Sequence, residues 1–324
     1  MLQKINLVIP KSDDMDLIDK FEPIIILIAI ISGLLLSNIN IIALNTAYLI
    51  NIFLCLMLFV IFLEIPLNNL KNSFKNVKFT SLSLIINFIW IPLLAYFLAE
   101  VFLKGNIDLI IGFFMLLITP CTDWYLIFTK MAKGDLKLSL SILPINLVLQ
   151  ILLLPVYLII FFSQSNTFDY FQLLYSLLVV IILPFTFAQL TKFIFKTRLN
   201  DLTDILSKTQ LLFLALAIFS IFASQGELLF DNINSLVVIF IPLILFFIIN
   251  VILDWFIYKK IKFTYEEYAS LTMTTLARNS PLALAIATIS FPHHELISIA
   301  LVIGPLIELP VLYMVSKLLL YIRQ

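Results

Sequence analysis

The chain has 324 residues, of which 62% are hydrophobic and only 12% are charged. This composition excludes an ordinary soluble domain and indicates a polytopic membrane protein. The lipid bilayer is therefore an expected partner. The 20 basic and 20 acidic side chains balance to a formal net charge of zero. No basic surface for a nucleic acid is therefore expected.

Ten apolar runs of helix length follow a polar and acidic segment, residues 1–21, which carries no sign of a cleavable signal peptide. We expect each run to cross the bilayer as an α-helix, because the runs are too long for barrel strands and show no alternation of period two. The expected fold class is an all-α polytopic membrane protein. The runs lie at about 22–42, 46–66, 79–103, 108–131, 138–163, 170–195, 209–225, 233–257, 266–291 and 296–321.

The basic residues support this count of spans. All but two of the 20 lie in the amino-terminal tail, in or beside even-numbered connections, or near the carboxyl end. The exceptions are Lys104, in the third connection, and Arg278, inside the ninth run. The positive-inside rule then predicts a multi-pass protein of the cell membrane with both termini in the cytoplasm.

Ten spans divide into two five-helix halves, predicted at residues 22–163 and 164–324. An odd number of spans in each half makes the second half enter the membrane from the opposite side, as in an inverted repeat. In each half the fourth run is interrupted, and the fifth contains Leu-Pro-Val, at 154–156 and at 309–311. The connection at about 196–208 is the expected hinge between the halves.

The ninth run is interrupted by the polar sequence Ala-Arg-Asn-Ser-Pro at 277–281. An arginine at this depth costs about 2.5–3.5 kcal/mol on insertion scales, and Pro281 disrupts helical hydrogen bonding. Unwound backbone in a membrane is tolerated only inside protein or beside a water-filled cavity. The alternative is a structural kink with a paired or snorkelling arginine. The site residues predicted here are Arg278, Asn279 and Ser280.

The fourth run is interrupted in the same manner by Thr-Pro-Cys-Thr-Asp-Trp at 119–124. Two broken helices in corresponding places point to a transporter binding site that includes Cys121, Thr122 and Asp123. A carboxylate in low dielectric pairs or takes up a proton, so an ion pair between Asp123 and Arg278 would reduce the desolvation cost of both. Such a pair could also be purely structural. Cys121 could ligate a soft ion or simply pack as a small apolar side chain.

Three further polar side chains in apolar runs are candidates for the site. Glu308, flanked by Pro305 and Pro310, could carry protons or could bond to backbone carbonyls freed by the prolines. Asn146 and Gln150 are four residues apart on one face of the fifth run. They could face the site or bond to neighbouring helices.

Enzyme motifs are incomplete or missing in the sequence. The nucleotide-binding GxxxxGK[ST] loop is not found, and His294-Glu295 lacks the second histidine of HExxH. We therefore expect a protein that is not an enzyme, that needs no cofactor, and whose transport uses a gradient or is passive.

The sequence 119–135 resembles the fourth-helix motif of the ACR3-type arsenical-resistance transporters of the bile acid:sodium symporter superfamily. The sequences 276–285 and 303–311 resemble the ninth and tenth helices of that family. The resemblance implies an inverted five-plus-five repeat, with panel and core domains each drawn from both halves and the two broken helices crossing in the core. It also implies export of arsenite, often with antimonite, against a proton gradient. The family's cysteine and glutamate fall on Cys121, as a ligand of As(III), and on Glu308.

The ninth-helix break departs from the family patterns. In the sodium-coupled branch it reads Gln-Asn-Ser-Gly, with a glutamate five residues before the Asn, whereas this chain has Arg278, Pro281 and Thr274 at those places. Typical arsenite carriers have an Asn-Asn-Phe-Glu-like break. A guanidinium stays protonated, so it would repel Na⁺ and mimic a bound cation. Protons are then the expected coupling ions, and an organic or inorganic anion drawn to Arg278 is the alternative substrate.

Overall fold

The computed structural model describes residues 17–64, 76–122, 124–163, 170–195, 199–231 and 237–323. Within these ranges the chain folds into helices, which we number in chain order. The helices are α1 (Leu17–Leu36), α2 (Asn40–Glu64), α3 (Val77–Phe102), α4 (Ile107–Ile118), α5 (Trp124–Met131), α6 (Leu136–Phe162), α7 (170–194), α8 (Leu199–Asp231), α9 (Phe240–Ile261), α10 (Tyr265–Leu276), α11 (Ser280–Ser290) and α12 (Glu295–Arg323).

Six of these helices are long and apolar enough to cross a membrane, namely α2, α3, α6, α7, α9 and α12. Shorter apolar stretches lie in α1, α4, α8 and α11. The chain is therefore a multi-pass, all-helical membrane protein, as its composition predicts. The count of ten spans, the inverted repeat and the division at residue 164 stay predictions.

Helix limits differ from the predicted runs in the second half of the chain. The expected hinge at 196–208 is helical from Leu199, because α8 continues well beyond the apolar run at 209–225. The run predicted at 233–257 is a helix from Phe240 to Ile261. Hydropathy marks the part of a helix that lies in lipid, so polar turns that extend the helix into water are missed.

Two glycines allow helices to approach each other closely. A methyl group added to Gly33 in α1 would lie 2.7 Å from the carbonyl oxygen of Phe219 in α8. One added to Gly112 in α4 would lie 2.9 Å from the carbonyl oxygen of Ile297 in α12. Close backbone approach of this kind strengthens packing where lipid gives no hydrophobic driving force. The second contact fixes α12, and with it Glu308, against α4.

Prolines interrupt some helices and not others. Pro144 and Pro155 lie inside the continuous helix α6, and Pro305 and Pro310 lie inside α12. By contrast, the chain unwinds between α4 and α5 and between α10 and α11, where a proline is accompanied by a run of polar residues. Polar side chains and a second unwound segment can replace the helical hydrogen bonds there.

Candidate functional site

The two helix breaks meet and hydrogen-bond to each other through a short antiparallel bridge. The backbone N–H of Cys121 donates to the carbonyl oxygen of Ala277 at 3.0 Å, and that of Asn279 donates to Thr119 at 2.7 Å. The Thr119 hydroxyl also donates to the Asn279 carbonyl at 3.2 Å. Each break therefore satisfies backbone groups that the other leaves open. We call this meeting point the crossing.

Asn279 is the N-cap of α11, the helix that follows the second break. Its side-chain oxygen accepts the backbone N–H of Leu282 at 3.2 Å, which caps α11, and Pro281 lies in the first turn, where no N–H is needed. Its side-chain amide donates to the Thr122 hydroxyl at 3.4 Å. The neighbouring Ser280 hydroxyl is buried and has no hydrogen-bond partner within the described ranges. Three residues predicted for the site thus lie together at the crossing.

Arg278 is the largest fully buried side chain at the crossing, with 1% of its surface exposed. Among the described residues, the hydrogen-bond acceptors of its guanidinium are neutral: one side-chain amide and four backbone carbonyls. They are Asn87 and Leu117, each at 2.9 Å, Thr274 and Leu276, each at 3.3 Å, and Thr275. The ring of Phe246 lies 5.7 Å from the guanidinium carbon. These hydrogen bonds offset the free-energy cost of burying the positive charge.

The four carbonyls belong to the last turns of α4 and α10. The carboxyl end of a helix carries a partial charge of about −0.5, so two negative helix ends converge on the guanidinium. In transporters with broken helices, such ends and unwound carbonyls are where a coupling cation is coordinated. Arg278 occupies the acceptors that a mobile cation would need.

Asn87 reaches Arg278 from a π-helical turn in α3, Ile86–Trp90. A π turn inserts a residue into the helix, redirects side chains and is frequent at functional sites. The Asn87 amide donates to the Ser83 hydroxyl at 3.3 Å, and the Trp90 indole N–H donates to Asn250 of α9 at 3.1 Å. The sequence marks Asn87 as a polar residue in an apolar run but gives no signal of its partner.

Glu308 contacts the same break. One carboxyl oxygen, Oε1, accepts the backbone N–H of Arg278 at 2.7 Å, while Oε2 has no hydrogen-bond partner among the residues that the structure describes. The side chain is 1% exposed. Glu308 therefore bonds to an N–H group rather than to the carbonyls below its neighbouring prolines. Between described residues, Glu266 forms an ion pair with Arg323, and Asp108 contacts His294, which forms an ion pair when the histidine is protonated.

Cys121 is buried at the crossing, with 6% of its surface exposed. Asp123 lies outside the described residues, so its predicted ion pair with Arg278 stays a prediction. Within the described ranges, no group of three or more His, Cys, Asp or Glu side chains is arranged to hold a metal ion. A soft ion that reached the crossing would therefore meet a single thiol.

Asn146 and Gln150 lie one turn apart on α6 and are 0% and 1% exposed. None of their four amide atoms has a hydrogen-bond partner in the parts of the chain that are described. Buried amides are almost always hydrogen-bonded, so their partners are water, a ligand or residues outside the described ranges. Both readings left open by the sequence, a role in the site and bonding to neighbouring helices, stay predictions.

Asp254 of α9 is a buried carboxylate that was not among the residues predicted for the site. Its Oδ2 lies 2.6 Å from the hydroxyl of Thr275, whose carbonyl accepts a bond from Arg278. A charged residue in an otherwise apolar helix is itself a signal of function. The link to Arg278 depends on how α9 packs against α10, which the sequence does not give.

A helical membrane protein whose unwound segments meet around a buried charge has the architecture of a membrane transporter. Comparison with known families agrees with this class. The model of the Sodium Bile acid symporter family matches residues 51–232, more than half of the chain. The chain belongs to that family, which accords with transport rather than catalysis. The match includes the first break, while the second break and Glu308 lie beyond it.

Individual relatives are distant. The Arsenical-resistance protein Acr3 of Corynebacterium glutamicum is 26% identical over 247 residues, 71% of this chain and 66% of that protein. The protein of the same name from Alkaliphilus metalliredigens is 23% identical over 286 residues, 82% of this chain and 80% of its own length. An uncharacterized transporter of Synechocystis is 23% identical over 300 residues, 85% of this chain and 78% of its own. Two of these three relatives are thus named for arsenical resistance.

Proposed function

We propose that this protein exports arsenite from the cytoplasm by proton antiport, with antimonite as a second substrate. The observation that carries the proposal is the guanidinium of Arg278, which takes the carbonyl acceptors at the carboxyl ends of both broken helices. In this arrangement the chain supplies its own cation. Ten membrane spans in an inverted repeat, with both termini cytoplasmic, are part of the same proposal.

A fixed charge at this place changes the coupling. Arg278 stays protonated throughout a transport cycle, and its charge repels Na⁺ strongly in a low-dielectric interior. The coupling ion must then bind at a different group from the carbonyls that Arg278 occupies. If that ion is a proton, a carboxyl group can bind it. Glu308 is adjacent to the break and has one carboxyl oxygen without a partner in the described chain, so we assign the coupling proton to it.

The choice of substrate rests on Cys121 and on the relatives. A thiolate is a soft ligand suited to As(III), and a single one binds reversibly, whereas three would trap the ion. Two relatives are named arsenical-resistance proteins. The amino ends of α5 and α11 also face the breaks and favour oxygen atoms with negative charge.

The second candidate is an organic or inorganic anion. It is favoured by the buried Arg278 and by the amides of Asn146 and Gln150, which have no hydrogen-bond partner among the described residues. These amides could bond oxygen groups of a substrate without any thiol. In this case Cys121 would only fill space at the crossing.

Substitution of the cysteines separates the two candidates. In inside-out membrane vesicles, Cys121→Ser should abolish arsenite uptake, because the soft ligand is lost while the volume is nearly kept. Cys55→Ser, the matched control in α2, should leave it unchanged. Uptake of antimonite and of a bile-acid-like anion is measured in the same vesicles. Full arsenite uptake by Cys121→Ser, or uptake of the organic anion alone, would contradict arsenite export through the thiol.

A further inference from the structure

A second buried carboxylate lies near the crossing. Asp254 of α9 is 0% exposed, and its Oδ2 lies 2.6 Å from the Thr275 hydroxyl of α10. Its other oxygen, Oδ1, has no hydrogen-bond partner among the described residues. A carboxylate with one hydrogen bond in a membrane interior is expensive to keep charged. Its presence calls for a reason beyond packing.

The Thr275 hydroxyl can serve both protonation states of Asp254. A hydroxyl has one hydrogen to donate and can accept as well, and Thr275 has two acceptors in reach: Asp254 at 2.6 Å and the carbonyl oxygen of Thr272 at 3.1 Å. When Asp254 is charged, Thr275 donates to it. When Asp254 is protonated, the acid donates to Thr275, whose hydrogen turns to Thr272. Both states are hydrogen-bonded with the heavy atoms unmoved.

The summed charge of Arg278, Asp254 and Glu308 also favours a bound proton. Asp254 and Glu308 both interact electrostatically with the one guanidinium. If both carboxyl groups were charged, the three side chains would carry a net charge of −1 in a dry interior, where an unbalanced ion is penalised by several kcal/mol. One bound proton makes them neutral.

The other titratable group that faces Asp254 is Tyr268 of α10. Its hydroxyl has no hydrogen-bond partner in the described ranges, and its ring stacks on Tyr258 of α9 with 4.5 Å between centroids. On the α3 side, the group that contacts this face of α9 is the neutral Trp90 indole, bonded to Asn250 one turn away. Arg278 is thus the fixed charge near Asp254, and Glu308 is the carboxyl group with which it shares that charge.

We propose that Asp254 is a second proton-binding site, and that the Thr275 hydroxyl reorients to hold its charged and neutral forms in turn. The inference rests on the proposed proton coupling and extends it, because Asp254 and Glu308 both interact with the charge of Arg278.

Infrared difference spectroscopy tests this site without a transport assay. Purified protein in lipid is compared at two pH values, and the C=O stretch of protonated carboxyl groups is recorded. Asp254→Asn should remove one band from the difference spectrum. Thr275→Val, which keeps the side-chain shape but loses the hydroxyl, should shift that band, because the acid loses its hydrogen-bond acceptor. Thr275→Ser should restore its position.

Glu308→Gln is the matched comparison. It removes the carboxyl group that shares the charge of Arg278, so the Asp254 band should persist while its response to pH changes. The inference is overturned if Asp254→Asn and Thr275→Val both leave the spectrum unchanged, or if Glu308→Gln alone removes the band. If Asp254→Asn does not fold, the C=O band is compared in Thr275→Val and Thr275→Ser instead. An unshifted band in Thr275→Val contradicts the proposal. Because no substrate is used, a failure of arsenite transport leaves this result intact.

Discussion

At the scale of single residues, Arg278 shows how neutral acceptors among the described residues can hydrogen-bond a buried guanidinium. Its guanidinium bonds to four carbonyls and an amide, and a Glu308 oxygen bonds to its backbone N–H instead. The planar guanidinium has five donors in a fixed fork, whereas a lysine ammonium has three on a flexible stem. The site is therefore specific for arginine and not merely for positive charge.

Substitutions of Arg278 should separate charge from geometry. Arg278→Ala leaves the acceptors of two helix ends without donors, so we expect a loss of about 3–5 kcal/mol of stability, by analogy with breaking a buried ionic network, and a loss of transport. Arg278→Lys keeps the charge and should lose less stability. Thermal unfolding in detergent, read beside vesicle uptake, measures both effects. An Arg278→Ala protein as stable as the wild type would refute the assigned role.

The sequence identifies the central residues of the candidate site but not their partners. Arg278, Cys121 and Glu308 stand out because each is a costly or reactive group in an apolar run. The contact with Asn87 depends on a π turn in α3, and the Thr275 contact with Asp254 depends on how two helices pack. Contacts between distant segments leave no local pattern in a single sequence.

At the scale of elements, the two breaks could be predicted while several helix ends could not. A proline beside polar residues in an apolar run marks unwinding, because both the hydrogen bond and the hydrophobic continuity are lost. The start of α8 at Leu199 falls in a polar stretch that resembles a connection, and hydropathy gives no reason to place a helix there. Burial in lipid and helix formation are separate properties.

The caps of two helices offer a test at this scale. Asn279 caps α11 at the crossing, and Asn106 caps α4 away from it, each accepting a backbone N–H at 3.2 Å. Asn279→Ala and Asn106→Ala should each cost about 1 kcal/mol of stability. Only Asn279→Ala should also reduce transport, because it removes the bond to Thr122.

Melting temperatures and vesicle uptake of the two variants are compared directly. Equal losses of transport in Asn279→Ala and Asn106→Ala would show that the Asn279 side chain contributes to transport only through the stability of its helix.

At the scale of the whole molecule, topology is the property on which the inverted repeat depends. The basic residues predict that Lys137 and Lys262 lie in the cytoplasm and that Asn166 and His294 lie near the outer surface. Reporter fusions at the four positions measure this, and we expect activity of a cytoplasmic reporter only at the two lysines. An external signal at either lysine would rule out two five-helix halves of opposite orientation.

The central claim is that Arg278 replaces a coupling cation, so that protons drive transport. Its most direct test is arsenite transport by purified protein in proteoliposomes, with sodium and pH gradients imposed separately. We predict that the rate follows the pH gradient and is unchanged when choline replaces Na⁺. Glu308→Gln should lose the response to pH, while Glu266→Gln, an exposed carboxylate paired with Arg323, should keep it. Sodium-stimulated transport at fixed pH would contradict the account.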